Sequence, residues 1–197
     1  MDLIQRASKI AFNPSTYVNI ESSRVESPIL FYIIRIENIS ESRLRQLESW
    51  EELEDPNNAS VDRVNKHKQG NNTKNNRVIR EVDMSDDPLP HNNGSEAQIY
   101  RLLLKDCFDN YSYGYEFNDK LQFLRSRNSN GGPLPIVLGS RIIVYQGALI
   151  LNGVIMLESA KCKFLGTDGV DKGFLDSLNS NIISKYANAL RHELHNG

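Results

Sequence analysis

The sequence predicts a mainly β fold, a five-stranded Greek-key barrel with a long insertion between strands 1 and 2 and with flanking helices. Three observations carry this. About five short runs rich in β-branched and aromatic residues recur at irregular spacing, whereas a sandwich wants about seven. Asn152-Gly153 stands between two apolar runs, the strongest short-range hairpin signal in the chain. The stretch from Asn57 to Ser95 is polar and almost free of core-forming residues, yet it lies between two evident strands.

The elements follow in order. Leu3, Ile4, Ala7 and Ile10 suit one short amphipathic helix, ended where Asn13 precedes Pro14 and is pushed out of the helical region. That helix and an irregular linker make a segment 1–27. After Pro28, "ILFYIIRIENIS" is the first strand, with Ile34 and Ile36 alternating against Arg35 and Glu37 toward its end. "SESRLRQLESWEELEDP" follows. Ser40 or Ser42 can cap a helix there, Leu44, Leu47, Trp50 and Leu53 recur every three residues, and Pro56 stops it. The polar stretch then completes an insertion at about 40–98, longer than a compact domain needs as a mere connection.

Strands resume with "QIYRLLLKDCF", "YSYGYEF", "RIIVYQGALILNGVIMLES" and "KCKFLG", the third run folded back on itself at Asn152-Gly153. The barrel should occupy 28–170. From Phe174 onward Leu178, Ile182, Tyr186, Leu190 and Leu194 recur every four residues, so 171–197 is expected as one C-terminal amphipathic helix. A small closed barrel of the oligonucleotide/oligosaccharide-binding type, the OB-fold, fits this count.

Bulk properties narrow the function classes. The chain has 197 residues, enough for one cored domain, and a net charge of -2, so any case for nucleic acid has to be local. The most apolar window, "RIIVYQGALILNGVIML", is broken by Gln146, Gly147, Asn152 and Gly153 and does not read as a membrane span. The N-terminus lacks a signal-peptide pattern, so an intracellular protein is expected. In a reducing compartment Cys107 and Cys162 read as two small core or strand residues, not a disulfide, and triplets such as "NIS" and "NYS" carry no glycosylation argument.

Catalytic and metal patterns are weak. In "RHELH" the residues His192, Glu193 and His195 lack the spacing of a zinc protease and read as a helix surface. "GTDGVDKG" lacks the ending of a phosphate loop. No catalytic residue, metal or cofactor is expected. Tyr111, Tyr113 and Tyr115 alternate and so share one strand face, where they can contact a protein, fill the barrel or stack bases, in that order of preference. Within the insertion, Arg63, Lys66, Lys68, Lys74, Arg77 and Arg80 form a basic run without acids, suited to phosphates or an acidic partner face, or else a solvated run.

Taken in order, "ILFYIIRIENISESRLRQLESW", a long insertion, "YRLLLKDCFDNYSYGYEF" and "LPIVLGSRIIVYQGALILNGVIMLESAKCKFLGTDG" resemble the N-terminal OB-fold region of the RecQ-mediated genome instability protein 1 family. The most specific pieces are Gly139-Ser140-Arg141, Gly153-Val154-Ile155-Met156-Leu157 and Phe164-Leu165-Gly166. Phe108 stands where the family turn has glycine, and Gly166-Thr167 where it has paired glycines. The chain is identified as a compact, fungal-like member without the family's three-helix module before the barrel.

The resemblance implies a non-catalytic nuclear subunit that joins topoisomerase III, a type IA enzyme, to a RecQ-type helicase for double Holliday junction dissolution and decatenation. DNA contact would be indirect or weak, and no membrane is involved. It also implies that the insertion modulates the topoisomerase gate, through Leu44, Leu47, Trp50 and Leu53 and through Lys66, Lys68, Lys74, Arg77 and Arg80. On the residues alone the helical stripe can equally pack on its own barrel. The alternative from another class is an autonomous OB-fold protein that binds single-stranded DNA.

Overall fold

The computed structural model describes residues 2–55, 98–125 and 132–196. Helix α1 (Leu3–Ala7) and a 3-10 turn (Pro14–Tyr17) lead into strand β1 (Ser23–Arg24). Strand β2 (Ile29–Asn38) and helix α2 (Arg43–Glu54) precede the insertion, and β3 (Tyr100–Asp106) and β4 (Tyr111–Glu116) follow it. A 3-10 turn (Gln122–Leu124), β5 (Arg141–Val144), β6 (Leu149–Leu151), β7 (Val154–Leu157) and β8 (Cys162–Gly166) complete the sheet. Helices α3 (Lys172–Asn179) and α4 (Ile182–His195) close the chain.

The strands pair in the order β1-β6-β7-β4-β3-β2-β5-β8, antiparallel except for β4 on β7. This order forces the sheet to curl. Between β6 and β5 lie five inter-strand steps, about 24 Å in a flat sheet at the usual spacing. Only Tyr145 to Ala148 separate the two strands in sequence, and so short a link reaches at most about 18 Å. Gly147, with a φ of +84°, lies in that link.

Among the described residues the sheet has eight strand segments, because three features divide or extend the five expected runs: a bend, a hairpin and an added edge strand. The run "RIIVYQGALIL" is two strands because its backbone turns at 145–148, and the two-residue β1 arises in the irregular N-terminal linker by pairing with β6. The hairpin is where the sequence places it. Leu151 faces Val154, and Asn152 and Gly153 both take positive φ, as a primed two-residue turn requires. At Gly153 a Cβ would also lie 2.9 Å from the Pro14 carbonyl oxygen, so the linker itself enforces glycine there.

The core lies inside the curl, where Phe31, Ile33, Leu102, Leu104, Ile142, Ile150, Ile155 and Leu157 are buried. Leu30 and Ile143 point the other way and are covered by Leu3, Ile4 and Ala7 of α1. That is why "IIV" at 142–144 reads as an apolar run instead of an alternation: both faces of β5 are covered.

The C-terminal segment is corrected from one helix to two. Asn181 adopts a left-handed conformation (φ 51°), which asparagine tolerates better than most residues, and the axis breaks between α3 and α4. Asp171 caps α3 by accepting from the Phe174 N–H at 2.9 Å. Cys162 is buried, whereas Cys107 is exposed in the β3–β4 turn, so only one of the two cysteines is a core residue; both are free thiols.

Candidate partner-binding surfaces

Helix α2 begins at Ser42, whose hydroxyl accepts from the Arg45 N–H at 3.3 Å, choosing between the two caps the sequence offers. Its apolar residues do not share one environment. Leu47 is buried against Ala187 and Leu190 of α4, and Trp50 stacks on Tyr186 with ring centroids 4.7 Å apart. Leu44 and Leu53 are 57% and 51% exposed. Half of the stripe therefore packs on the chain itself.

Polar contacts lock that helix pair. Arg191 reaches Glu51 at 3.0 Å and Glu54 at 2.9 Å, and the Ser184 hydroxyl donates to Glu54 at 2.6 Å. The Tyr186 hydroxyl accepts from the buried Ile36 N–H at 3.0 Å, tying α4 to β2. Burial pushes the Tyr186 phenol up to about 12. Between β2, α2, the 133–135 segment and α4 lies a cleft of about 360 Å³, walled by Trp50, Tyr100, Leu134 and Tyr186.

The two roots of the insertion meet at the rim of this cleft. The Ile39 N–H donates to the Ile99 carbonyl at 2.9 Å, and the Ile99 N–H donates to the Ser40 hydroxyl at 3.3 Å. Gln46 Nε2 donates to the Asn38 and Glu41 carbonyls at 2.6 and 2.8 Å, holding the start of α2 on the end of β2. Outgoing and returning chain are thus fixed side by side. Arg63, Lys66, Lys68, Lys74, Arg77 and Arg80 lie outside the described residues.

The tyrosines of β4 face outward together. Tyr111 and Tyr113 are 50% and 42% exposed and Tyr115 is half-buried, while Ser112, Gly114 and Glu116 turn inward. None of the three fills the core. Arg101, paired with Tyr115 across β3 and β4, lies 4.8 Å from the Tyr113 ring and donates to the Tyr115 hydroxyl at 3.3 Å. The described cations beside these tyrosines already have acids: Arg101 and Arg35 pair with Glu37, and Lys105 pairs with Asp109 at 2.6 Å. A face so neutralised has little to offer a phosphate backbone.

Two buried carboxylates organise the surroundings, and neither was singled out from sequence. Asp106 accepts from the N–H groups of Phe12, Phe108 and Asn110 at 2.8–2.9 Å and from Asn110 Nδ2 at 2.9 Å. It binds the N-terminal linker to the β3–β4 turn. Glu116 accepts from the Tyr100 and Leu121 N–H groups at 2.8 and 2.9 Å and pairs with Arg125 at 2.8 Å. An Asp followed by a polar turn, "DCFDN", was a signal for the first. The second had none, because the segment that leads from it to Leu121 and Arg125 carries no turn motif.

Glu193 pairs with Arg35 and Arg43, so the "RHELH" helix end serves a surface ion-pair network. Among the described residues no group of three or more His, Cys, Asp or Glu side chains is placed to hold a metal ion. No described helix is long and apolar enough to cross a membrane.

Comparison with known proteins agrees with this architecture. The chain is 28% identical over 176 residues to RecQ-mediated genome instability protein 1 of Saccharomyces cerevisiae, a match covering 80% of this chain and 69% of the relative. Residues 8–172 match the family described as "RMI1, N-terminal OB-fold domain". That span runs from the N-terminal linker to the start of α3 and takes in the whole curled sheet, so the chain belongs to the RecQ-mediated genome instability protein 1 family.

Proposed function

We propose that this protein is a non-catalytic nuclear subunit that couples a type IA topoisomerase, topoisomerase III, to a RecQ-family helicase and promotes double Holliday junction dissolution and decatenation. In this reading β2, β3, β4, the bent pair β5 and β6 counted as one, and β7 are the five strands of an OB barrel docked on the enzyme, with β1 and β8 added at the two ends of the strand order. The insertion biases opening and closing of the topoisomerase gate. The observation that carries the proposal is the family match across the whole sheet, together with an insertion whose two roots are fixed side by side at one rim.

The physical logic is differential affinity. A gate has two states, and a tethered segment that binds one of them better shifts the balance by that difference. Fixed roots make the tether effective, because a segment held at both ends searches a small volume around its target. The exposed Tyr111 and Tyr113 are proposed as barrel-side protein contacts, tyrosine being enriched among residues that dominate interfaces.

The test replaces 57–95 by a short Gly/Ser linker and compares the two proteins in topoisomerase III co-purification and decatenation. Binding should survive while stimulation drops. Tight binding of single-stranded DNA by the isolated chain, without topoisomerase association, would overturn the proposal in favour of an autonomous DNA-binding barrel. The paired cations on the tyrosine face argue against that outcome.

A further inference from the structure

The return of the insertion is held by an unusual group. Arg125 Nη2 donates both to the Gln98 carbonyl and to Glu116 Oε2, each at 2.8 Å, and Lys120 Nζ donates to the same carbonyl at 2.9 Å. Glu116 in turn takes the Tyr100 N–H, the first amide of β3. The guanidinium also lies 4.8 Å from the Tyr100 ring. Glu116 and Arg125 side chains are 2% and 13% exposed, so this is a buried ion pair spent on two successive landmarks of the returning chain.

Stability alone is a poor reason for such a pair. A buried ion pair is commonly no better than an apolar replacement of similar volume, because desolvation offsets the attraction. Here the balance is worse, since Arg125 Nε and Nη1 are buried and find no partner among the described residues. What the pair does supply is position. It fixes the backbone at Gln98 and Tyr100 from the opposite wall, while Ser40 and Ile39 fix Ile99 from the β2 side.

We infer that the Glu116–Arg125 pair is a positioning device for the insertion: it sets where and at what angle the returning chain enters β3. The inference rests on the reading of the insertion as the part that acts on the topoisomerase. Arg125 is then a positioning residue for that action, although it lies outside the insertion and 27 residues beyond Gln98. Both of its bonds come from a single nitrogen, so a lysine keeps a cationic donor for the two acceptors, while it gives up the guanidinium's contact with the Tyr100 ring and some reach. A glutamine or methionine keeps no cation.

The experiment uses the full chain with Arg125→Gln, Arg125→Lys and, in case an unpaired Glu116 prevents folding, the double change Glu116→Gln with Arg125→Met. Amide exchange is read at Tyr100 and, as the internal control, at Ile143 in β5. Topoisomerase III binding and decatenation are measured beside the Gly/Ser-linker protein. Exchange at Tyr100 should rise about tenfold or more in the glutamine and double variants with Ile143 unchanged, as local opening without global unfolding requires. Binding should persist, stimulation should fall toward that of the linker protein, and lysine should recover part of both readouts, more than glutamine does.

Unchanged exchange at Tyr100, or full stimulation by the variants when the linker protein has lost it, would overturn the positioning role alone. Full stimulation by the linker protein would overturn the parent reading and this inference with it.

Discussion

Helix α2 and strand β4 both carry regularly spaced apolar side chains, and the chain uses them in opposite ways. In β4 the tyrosines at 111, 113 and 115 all stay on the outer face. In α2 the residues at 44, 47, 50 and 53 divide, two packed and two exposed. The cause is periodicity. A strand repeats every two residues, so alternate positions never leave their face. Three residues advance a helix by about 300°, so each step slips about 60° and three steps carry Leu53 to the side opposite Leu44. Only the middle pair can face α4.

The largest way to test this contrast is to remove the packed aromatic. Trp50→Ala takes the indole from the Tyr186 ring and opens the seam between α2 and α4. A destabilisation of about 2–4 kcal/mol is expected, at or below the range for fully buried tryptophans because Trp50 is only half-buried. Urea denaturation of the full chain measures it. A loss below about 1 kcal/mol would mean that the α2–α4 contact is not needed and that the whole stripe is available to a partner.

A pH measurement addresses the same seam from the other side. The Tyr186 phenol is raised to about 12 by burial. Since its folded value exceeds the ordinary tyrosine value near 10, its contribution is complete below about pH 10 and is lost as pH climbs toward 12. The loss should be on the order of 2 kcal/mol, and Tyr186→Phe should flatten that part of the stability profile. The same substitution leaves the buried Ile36 N–H without its acceptor, at a cost of about 1–2 kcal/mol at neutral pH. Wild-type and variant profiles that run parallel between pH 10 and 12 would show Tyr186 to be solvated.

How legible this was from sequence depends on the range of the interactions. The Asn152-Gly153 hairpin and the Ser42 cap are written in neighbouring residues, and both stand where the sequence puts them. The turn between β5 and β6 was not legible, because "YQGA" turns only when the order of distant strands demands it. Asp106 reaches Phe12 across 94 residues, and Glu116 reaches Arg125 through a loop without a motif. The break at Asn181 was legible in principle, since "NSN" puts three poor helix formers in a row, but the four-residue apolar spacing from Leu178 to Ile182 runs on across them and masks it. For the tyrosines, alternation gave the shared face and left its side open; the inward Ser112, Gly114 and Glu116 decide it.

The smallest effects fall on residues that both regions leave in solvent, and they separate folding from recognition. Tyr111→Ala with Tyr113→Ala removes two rings from an outward face, and Leu44→Ala with Leu53→Ala trims two side chains from opposite sides of α2. Neither pair should change stability by more than about 0.5 kcal/mol per residue, since surface truncations away from caps and networks rarely do. Under the proposed function, their effects on topoisomerase III binding should differ. The tyrosines lie together and can enter one interface, so their loss should weaken binding about tenfold, the lower range for aromatic anchors. Leu44 and Leu53 cannot both meet one flat partner surface across a helix, so their double variant should weaken binding no more than the stronger of the two single changes. A larger, additive loss from the leucine pair would show that the partner wraps α2, and the helix, not the strand, would then be the principal contact.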